Sequence, residues 1–292
     1  MKKIVKIKGG LGNQLFQYAF AKLLEKKTGF RVLIDMSYFS EILNDPIRKP
    51  RILKYKLSTK IAGKEDLKKC CFFKHTGNTL GRKYRIGIGL EAVLNKRYFF
   101  ERNRGYIKPE KVLNYTYYDG YWQSWRYVDE ILKDIRNEFV PNYDISTKTK
   151  DIIEKVKQEN SVFVGIRKGD YSNSESHFGS FGNDYYQKAM NYISSKVENP
   201  VFYVFSNDIP WVKENIDFSN RTVVYREPED IVDDFEDFLI MTECKHSIII
   251  NSTFHWWGAR LNYNKDKIVV APQKWFFDDS PIDIIPPYWV RI

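Results

Sequence analysis

Nowhere in these 292 residues is there an apolar run approaching the roughly 20 residues that a membrane-spanning helix needs. The amino-terminal Lys2-Lys3-Ile4-Val5-Lys6-Ile7-Lys8 alternates charge with apolar side chains, which reads as a strand and not as the continuous apolar core of a signal peptide. Cysteine is scarce. Cys70, Cys71 and Cys244 are odd in number and two are adjacent, which argues against a disulfide framework and favours a reducing, cytoplasmic setting. No Cys/His group has metal-ligand spacing, so no structural zinc is expected. Internal repeats, low-complexity tracts and flexible linkers are also missing.

What is present is ordinary in bulk, with 43% hydrophobic and 29% charged residues, but rich in aromatics at 16%. Aromatic rings suit a protein that stacks on the C–H faces of sugars; equally, they fill cores. The formal charge of +10 points to an anionic partner: a nucleotide sugar, a phosphate-linked glycan, an anionic membrane surface or nucleic acid. Its excess lies mainly in the first half, in runs such as Lys49-Pro50-Arg51 and Lys96-Arg97. Any single run also reads as a solvated basic face.

A strand at 4–8, a helix after Gly12, a strand at 31–35, a strand at 117–122 and a helix at 124–138 are predicted for the first half, with helices near 64–75 and 85–97. Pro141-Asn142-Tyr143-Asp144 breaks the chain and sets a boundary between domains at 1–143 and 144–292. Beyond it strands and helices alternate regularly from 146 to 271. That alternation with short joints implies α/β architecture and a parallel sheet covered on both faces. Ligands of such sheets bind beyond the carboxyl ends of the strands.

Four sets of residues fall at such ends. Gly9-Gly10-Leu11-Gly12-Asn13-Gln14 joins a strand to a helix, either to admit an anion to the helix N-terminus or simply to turn and cap. It is neither the GxGxxG fingerprint nor a P-loop. Arg167-Lys168-Gly169-Asp170 leaves a strand end with two cations that can clamp a diphosphate, Asp170 holding one of them. Ser206-Asn207-Asp208 can meet a ligand or cap a helix. Asn251-Ser252-Thr253 would present hydroxyls and free N–H groups at a helix N-terminus, ahead of His255 and a Trp256-Trp257 pair that reads as core.

Taken together the sets resemble glycosyltransferase family 11, the bacterial α-1,2-fucosyltransferases. Gly9 to Ala19 match the family's GGLGNQ-[LM]-FQYA start, and Gly120-Tyr121-Trp122-Gln123-Ser124 its G-Y-[FW]-Q-[ST]. Counterparts of HIRRGDY, FSDD, N-S-[ST]-[FY]-x-W-W-[GA]-A and the P-x-x-W block (Pro272 to Trp275) follow in order. The resemblance implies a GT-B fold of two Rossmann-like domains facing a central cleft, acceptor side first and donor side second. It implies inverting, metal-independent transfer from GDP-β-L-fucose to an oligosaccharide or lipid-linked glycan. The aromatics and cations form no recognisable RNA- or DNA-reading motif, so no nucleic acid partner is expected, and the expected setting is the cytoplasm or, peripherally, the inner membrane. The alternatives are another GDP-activated 6-deoxysugar or hexose as donor, or a non-catalytic glycan- or nucleic-acid-binding protein.

Carried over residue by residue, Arg167 would face the β-phosphate of the donor, Asp237 the guanine, and Ser252 and Thr253 the phosphates. Gly10, Asn13, Lys168, Asp170, Ser206 and Asn251 complete the implied donor set. The family's motif histidine is Gly165 here and its second arginine Lys168, so a ligand contact is lost and space is expected to open beside the strand. Spacing shared with core-fucosylating relatives makes Glu175 the candidate base, with His177 its rival.

Overall fold

The computed structural model describes residues 2–41, 49–70, 82–102, 105–167, 181–276 and 283–292. The chain divides into two compact units. The first reaches Asn142 and takes in Asp283 and Ile284 near the end of the chain; the second starts at Tyr143 and recovers Ile285–Ile292.

In the first unit β1 (Lys3–Lys6), α1 (Leu11–Thr28), β2 (Val32–Asp35), α2 (Ser37–Glu41), β3 (Lys60–Ile61), α3 (Lys64–Lys68), α4 (Arg82–Leu94), β4 (Tyr98–Phe100), β5 (Tyr117–Asp119) and α5 (Trp125–Arg136) follow one another. The strands pair in parallel in the order β3-β2-β1-β5-β4. All four residues of β1 are buried, lysines included, because helices cover both faces of a parallel sheet. Lys3 survives there by donating from Nζ to the carbonyls of Leu113 at 2.5 Å and Tyr115 at 2.7 Å. The long helix α1 ends on Gly29 at φ 66°, with Lys26 and Lys27 in its last turn to complement its dipole. Its Phe20 ring stacks on Trp122 at 3.7 Å, so the motif tryptophan is core. Ser124 starts α5 by accepting the Arg126 N–H on its hydroxyl, and Tyr127, Val128, Ile131, Leu132 and Ile135 form the buried face.

In the second unit α6 (Thr147–Gln158), β6 (Ser161–Ile166), α7 (Asn183–Ser194), β7 (Val201–Ser206), α8 (Ile209–Asn215), β8 (Thr222–Tyr225), α9 (Asp234–Glu243), β9 (His246–Ile248), α10 (Thr253–Leu261), β10 (Val269–Ala271) and β11 (Val290–Arg291) alternate. The parallel sheet runs β8-β7-β6-β9-β10-β11. Numbered within the unit, that is 3-2-1-4-5-6, the order of a dinucleotide-binding Rossmann sheet. Val162, Val164 and Ile166 of β6 pack with Phe202 and Val204 of β7 under Tyr186, Ala189, Met190 and Ile193 of α7.

The parallel sheet of the second unit is the one expected from the alternation, and an α/β architecture with two such sheets is the one the resemblance implied. The differences are local. The helices expected at 64–75 and 85–97 are α3 and α4, which stop at Lys68 and Leu94. The short strands β3, β4 and β11 were not expected, since two or three residues show no period. Among the described residues no helix is long and apolar enough to cross a membrane.

Candidate active site

In the second sheet the chain leaves β6 towards β7 and β8, then returns to place β9 on the other side of β6. The crevice outside the carboxyl ends of β6 and β9 is therefore the switch point where such sheets take ligands. Arg167 follows Ile166 at one lip and is half-buried. Asn251, Ser252 and Thr253 form the other, between β9 and α10, with Asn251 and Ser252 buried. Asn251 Nδ2 donates to the carbonyl of Trp275 at 3.0 Å. Ser252 takes the N-cap position of α10, yet its hydroxyl makes no capping hydrogen bond. The side chain is left available at a helix N-terminus, where anions are favoured.

Other residues of the implied donor set are already engaged. Ser206, last in β7, accepts the Asp208 N–H at 3.0 Å, and Asp208 in turn caps α8 through the Trp211 N–H at 3.0 Å. Asp237 on α9 is buried and pairs with Arg226, Nη2 to Oδ1 at 2.9 Å and Nε at 3.3 Å. Burial pushes its carboxyl up and the guanidinium opposes that shift. Lys168, Asp170, Glu175 and His177 lie outside the described residues.

The expected space at Gly165 is not there. A Cβ built on Gly165 would sit 2.4 Å from His255 Nδ1 and 2.6 Å from two of the ring carbons, so the imidazole delivered by α10 fills the volume beside β6. The ring also lies 6.4 Å from that of Phe163, which shares a strand face with Gly165. His255 Nδ1 is buried without a hydrogen-bond partner. Burial first, and the charge of Arg167 second, hold the imidazole neutral down to about pH 3. A glycine within a strand was the one available signal of so close an approach.

This burial makes the fold sensitive to acid. The unfolded chain protonates His255 near the usual ~6.5, whereas the folded chain resists to about 3, so stability falls as the pH drops between those values. The expected slope from this residue is about 1.4 kcal/mol per pH unit. Urea midpoints measured from pH 7 to 4.5 should show that slope flattened in His255→Phe; equal slopes in both proteins would refute it.

The first unit builds a second charged centre at the ends of β1, β5 and β4. Asp119 is fully buried; desolvation would raise its carboxyl, but Lys8 at 2.5 Å and Lys6 at 3.8 Å outweigh that and hold it at about 2. Tyr98 donates to its other oxygen at 2.9 Å. Glu101 accepts the Tyr121 N–H at 2.6 Å and the Trp122 N–H at 3.1 Å, clamping a turn in which Trp122 sits at φ 55°. Burial raises the Glu101 carboxyl against those two donors. No sequence motif pointed to Glu101 or Asp119 as chemistry.

The glycine motif sits alongside. Gly9 adopts φ 79°, a region that favours glycine, whereas Gly10 has an ordinary φ of −74° and open space where a side chain would go. Asn13 Oδ1 accepts from Gln123 Nε2 at 2.8 Å, joining the first two motifs. Gln14 is structural: it donates to the Gly9 and Lys49 carbonyls at 2.8 Å each and accepts the Ile52 N–H at 2.9 Å.

A profile described as Glycosyl transferase family 11 matches residues 73–292. The O-antigen biosynthesis glycosyltransferase WbnK of Escherichia coli is 30% identical, the match covering 98% of this chain and 99% of that one. An α-1,2-colitosyltransferase of Escherichia coli is 29% identical over 99% of this chain and 98% of its own. Among solved structures, that of POFUT1 in complex with GDP aligns with a TM-score of 0.51 at 12% identity, over 92% of this chain and 97% of the other. At that identity the likeness speaks to the fold.

Proposed function

The chain belongs to glycosyltransferase family 11, and from that premise we propose that it moves L-fucose from GDP-β-L-fucose to a galactose hydroxyl, forming an α-1,2 linkage during surface-glycan synthesis. The observation that carries the reading is the crevice between β6 and β9, with a guanidinium at one lip and a helix N-terminus bearing an uncapped hydroxyl at the other. That chemistry suits a nucleoside diphosphate. The two near-full-length relatives, named for O-antigen synthesis and colitosyl transfer, support a deoxysugar carried to a surface glycan.

In the proposed reaction the acceptor oxygen attacks C1 of fucose from the face opposite the diphosphate. The C1–O bond breaks with its electron pair passing to the β-phosphate, and Arg167 with Lys168 meets the charge that develops there without a metal. The acceptor proton goes to a base in the sequence after Arg167, Glu175 first and His177 second.

The colitosyltransferase relative supports one second reading. Colitose is fucose without its 3-hydroxyl, and a site that hydrogen-bonds this hydroxyl discriminates by about 10⁴–10⁵. Competition between GDP-fucose and GDP-colitose therefore decides the donor. GDP itself is expected to raise the melting temperature in EDTA, with about 2.7 kcal/mol of stabilisation at a hundredfold excess over Kd. A shift that needs Mg²⁺ or Mn²⁺, or that appears only with UDP, overturns the proposal.

A further inference from the structure

Helix α4 buries a polar pair and leaves apolar side chains exposed. Its buried side holds Glu91, 0% exposed, and Asn95 just past its end, 2% exposed. Asn95 Nδ2 donates to Glu91 Oε1 at 2.6 Å and to the Cys70 carbonyl at 2.7 Å. Ala92 packs on the cluster of Ile4, Leu33, Tyr98 and Tyr117, so the inward side is apolar as well as polar. The outward side carries Ile86, Leu90, Val93 and Leu94, exposed by 53%, 46%, 70% and 58%. At about 100° per residue these four occupy one arc of roughly 100°, its centre about 130° from that of the polar pair. A helix on a water-soluble domain normally does the reverse. An apolar stripe of this kind marks a surface that something else covers.

The charge around it says what. Residues 1–142 hold 30 Lys and Arg against 14 Asp and Glu, while the remaining 150 hold 17 against 23. Between Lys49 and Lys111 the ratio is 18 to 5. Lys96 and Arg97, both exposed, follow directly on Leu94. Exposed Lys69 precedes Cys70, whose carbonyl receives the Asn95 hydrogen bond, so it is anchored at the same end of the helix. A second copy of the chain would bring two strongly basic units face to face. An uncharged surface would leave the cations without partners.

We propose that α4 lies flat on an anionic lipid bilayer, with Ile86, Leu90, Val93 and Leu94 in the headgroup–acyl boundary and the flanking cations on lipid phosphates. Its 13 residues give about 20 Å, enough to lie in the interface and too short to span. The proposal rests on α4 and on charge, and it stands or falls apart from the transfer reaction.

The test is sedimentation of the full-length protein with vesicles of phosphatidylcholine alone or with about one-third phosphatidylglycerol. The protein is expected to pellet with the anionic vesicles at least about tenfold more than with the neutral ones, and to be released by high salt. Leu90→Gln combined with Val93→Gln should lower vesicle binding about tenfold, with the melting temperature kept because both side chains are already exposed. Lys96→Glu with Arg97→Glu should lower it without touching the stripe. Three results overturn the idea: wild-type protein left in the supernatant, equal binding to neutral vesicles, or a glutamine pair that binds like wild type. A stripe that instead holds two copies together would show as a dimer lost in the glutamine pair, with no vesicle binding.

Discussion

Arg167→Ala is expected to lower kcat for transfer from GDP-fucose by about 10²–10³-fold at unchanged folded yield, with Arg167→Lys retaining far more. The residue follows the last residue of β6 at the switch point and is half-buried, so its removal leaves the buried core of β6 intact. The effect should fall on kcat, because the charge on the departing diphosphate grows only as the C1–O bond breaks. Lysine supplies the charge without the planar fork. Single-turnover rates alongside GDP affinity separate the two roles. Near wild-type transfer by Arg167→Ala would remove this residue from the reaction. In the same series Glu175→Gln should lose transfer and keep GDP affinity; normal transfer by Glu175→Gln with failure of His177→Ala moves the base to His177.

Gly165→Ala should destabilise the fold by about 1–3 kcal/mol, an overpacking penalty out of proportion to one methyl group on a strand. The new carbon would lie 2.4 Å from His255 Nδ1, and the ring has little room to retreat. The ring is buried, and α10 packs closely on α9, since a Cβ on Gly258 would already meet Met241 at 3.1 Å. In a His255→Ala background the same substitution should be nearly neutral, because the methyl then enters the cavity the imidazole leaves. Chemical denaturation of the four proteins gives the coupling directly. An alanine at 165 that costs the same in both backgrounds would mean that the two positions do not share this space.

The alternation of strands and helices from 146 to 271 was legible because each element repeats its own period over several residues. Ser161–Ile166 reads as one strand and the stretch before it as a helix, although the Ser146 cap of that helix came only with the structure. The glycine motif was legible as a turn, and Trp256 and Trp257 as core. The pairing of Asp237 with Arg226 was not, since the two lie on different elements. Nor was the clamp of Glu101 on the 120–122 turn, made across strands separated by 20 residues.

By itself, then, the sequence determined the elements, their α/β class and the family, because periodicity and short motifs are written in contiguous residues. The order 3-2-1-4-5-6 of the second sheet, and hence the crevice between β6 and β9, came only with the tertiary structure, since pairing between strands is a long-range choice. So did the fate of Gly165. A missing side chain reads as empty space along the chain, but close packing lets another element fill it, and His255 arrives from 90 residues away. The burial pattern of α4 belongs to the same class. Packing decides that Glu91 goes inward while Ile86, Leu90, Val93 and Leu94 stay exposed.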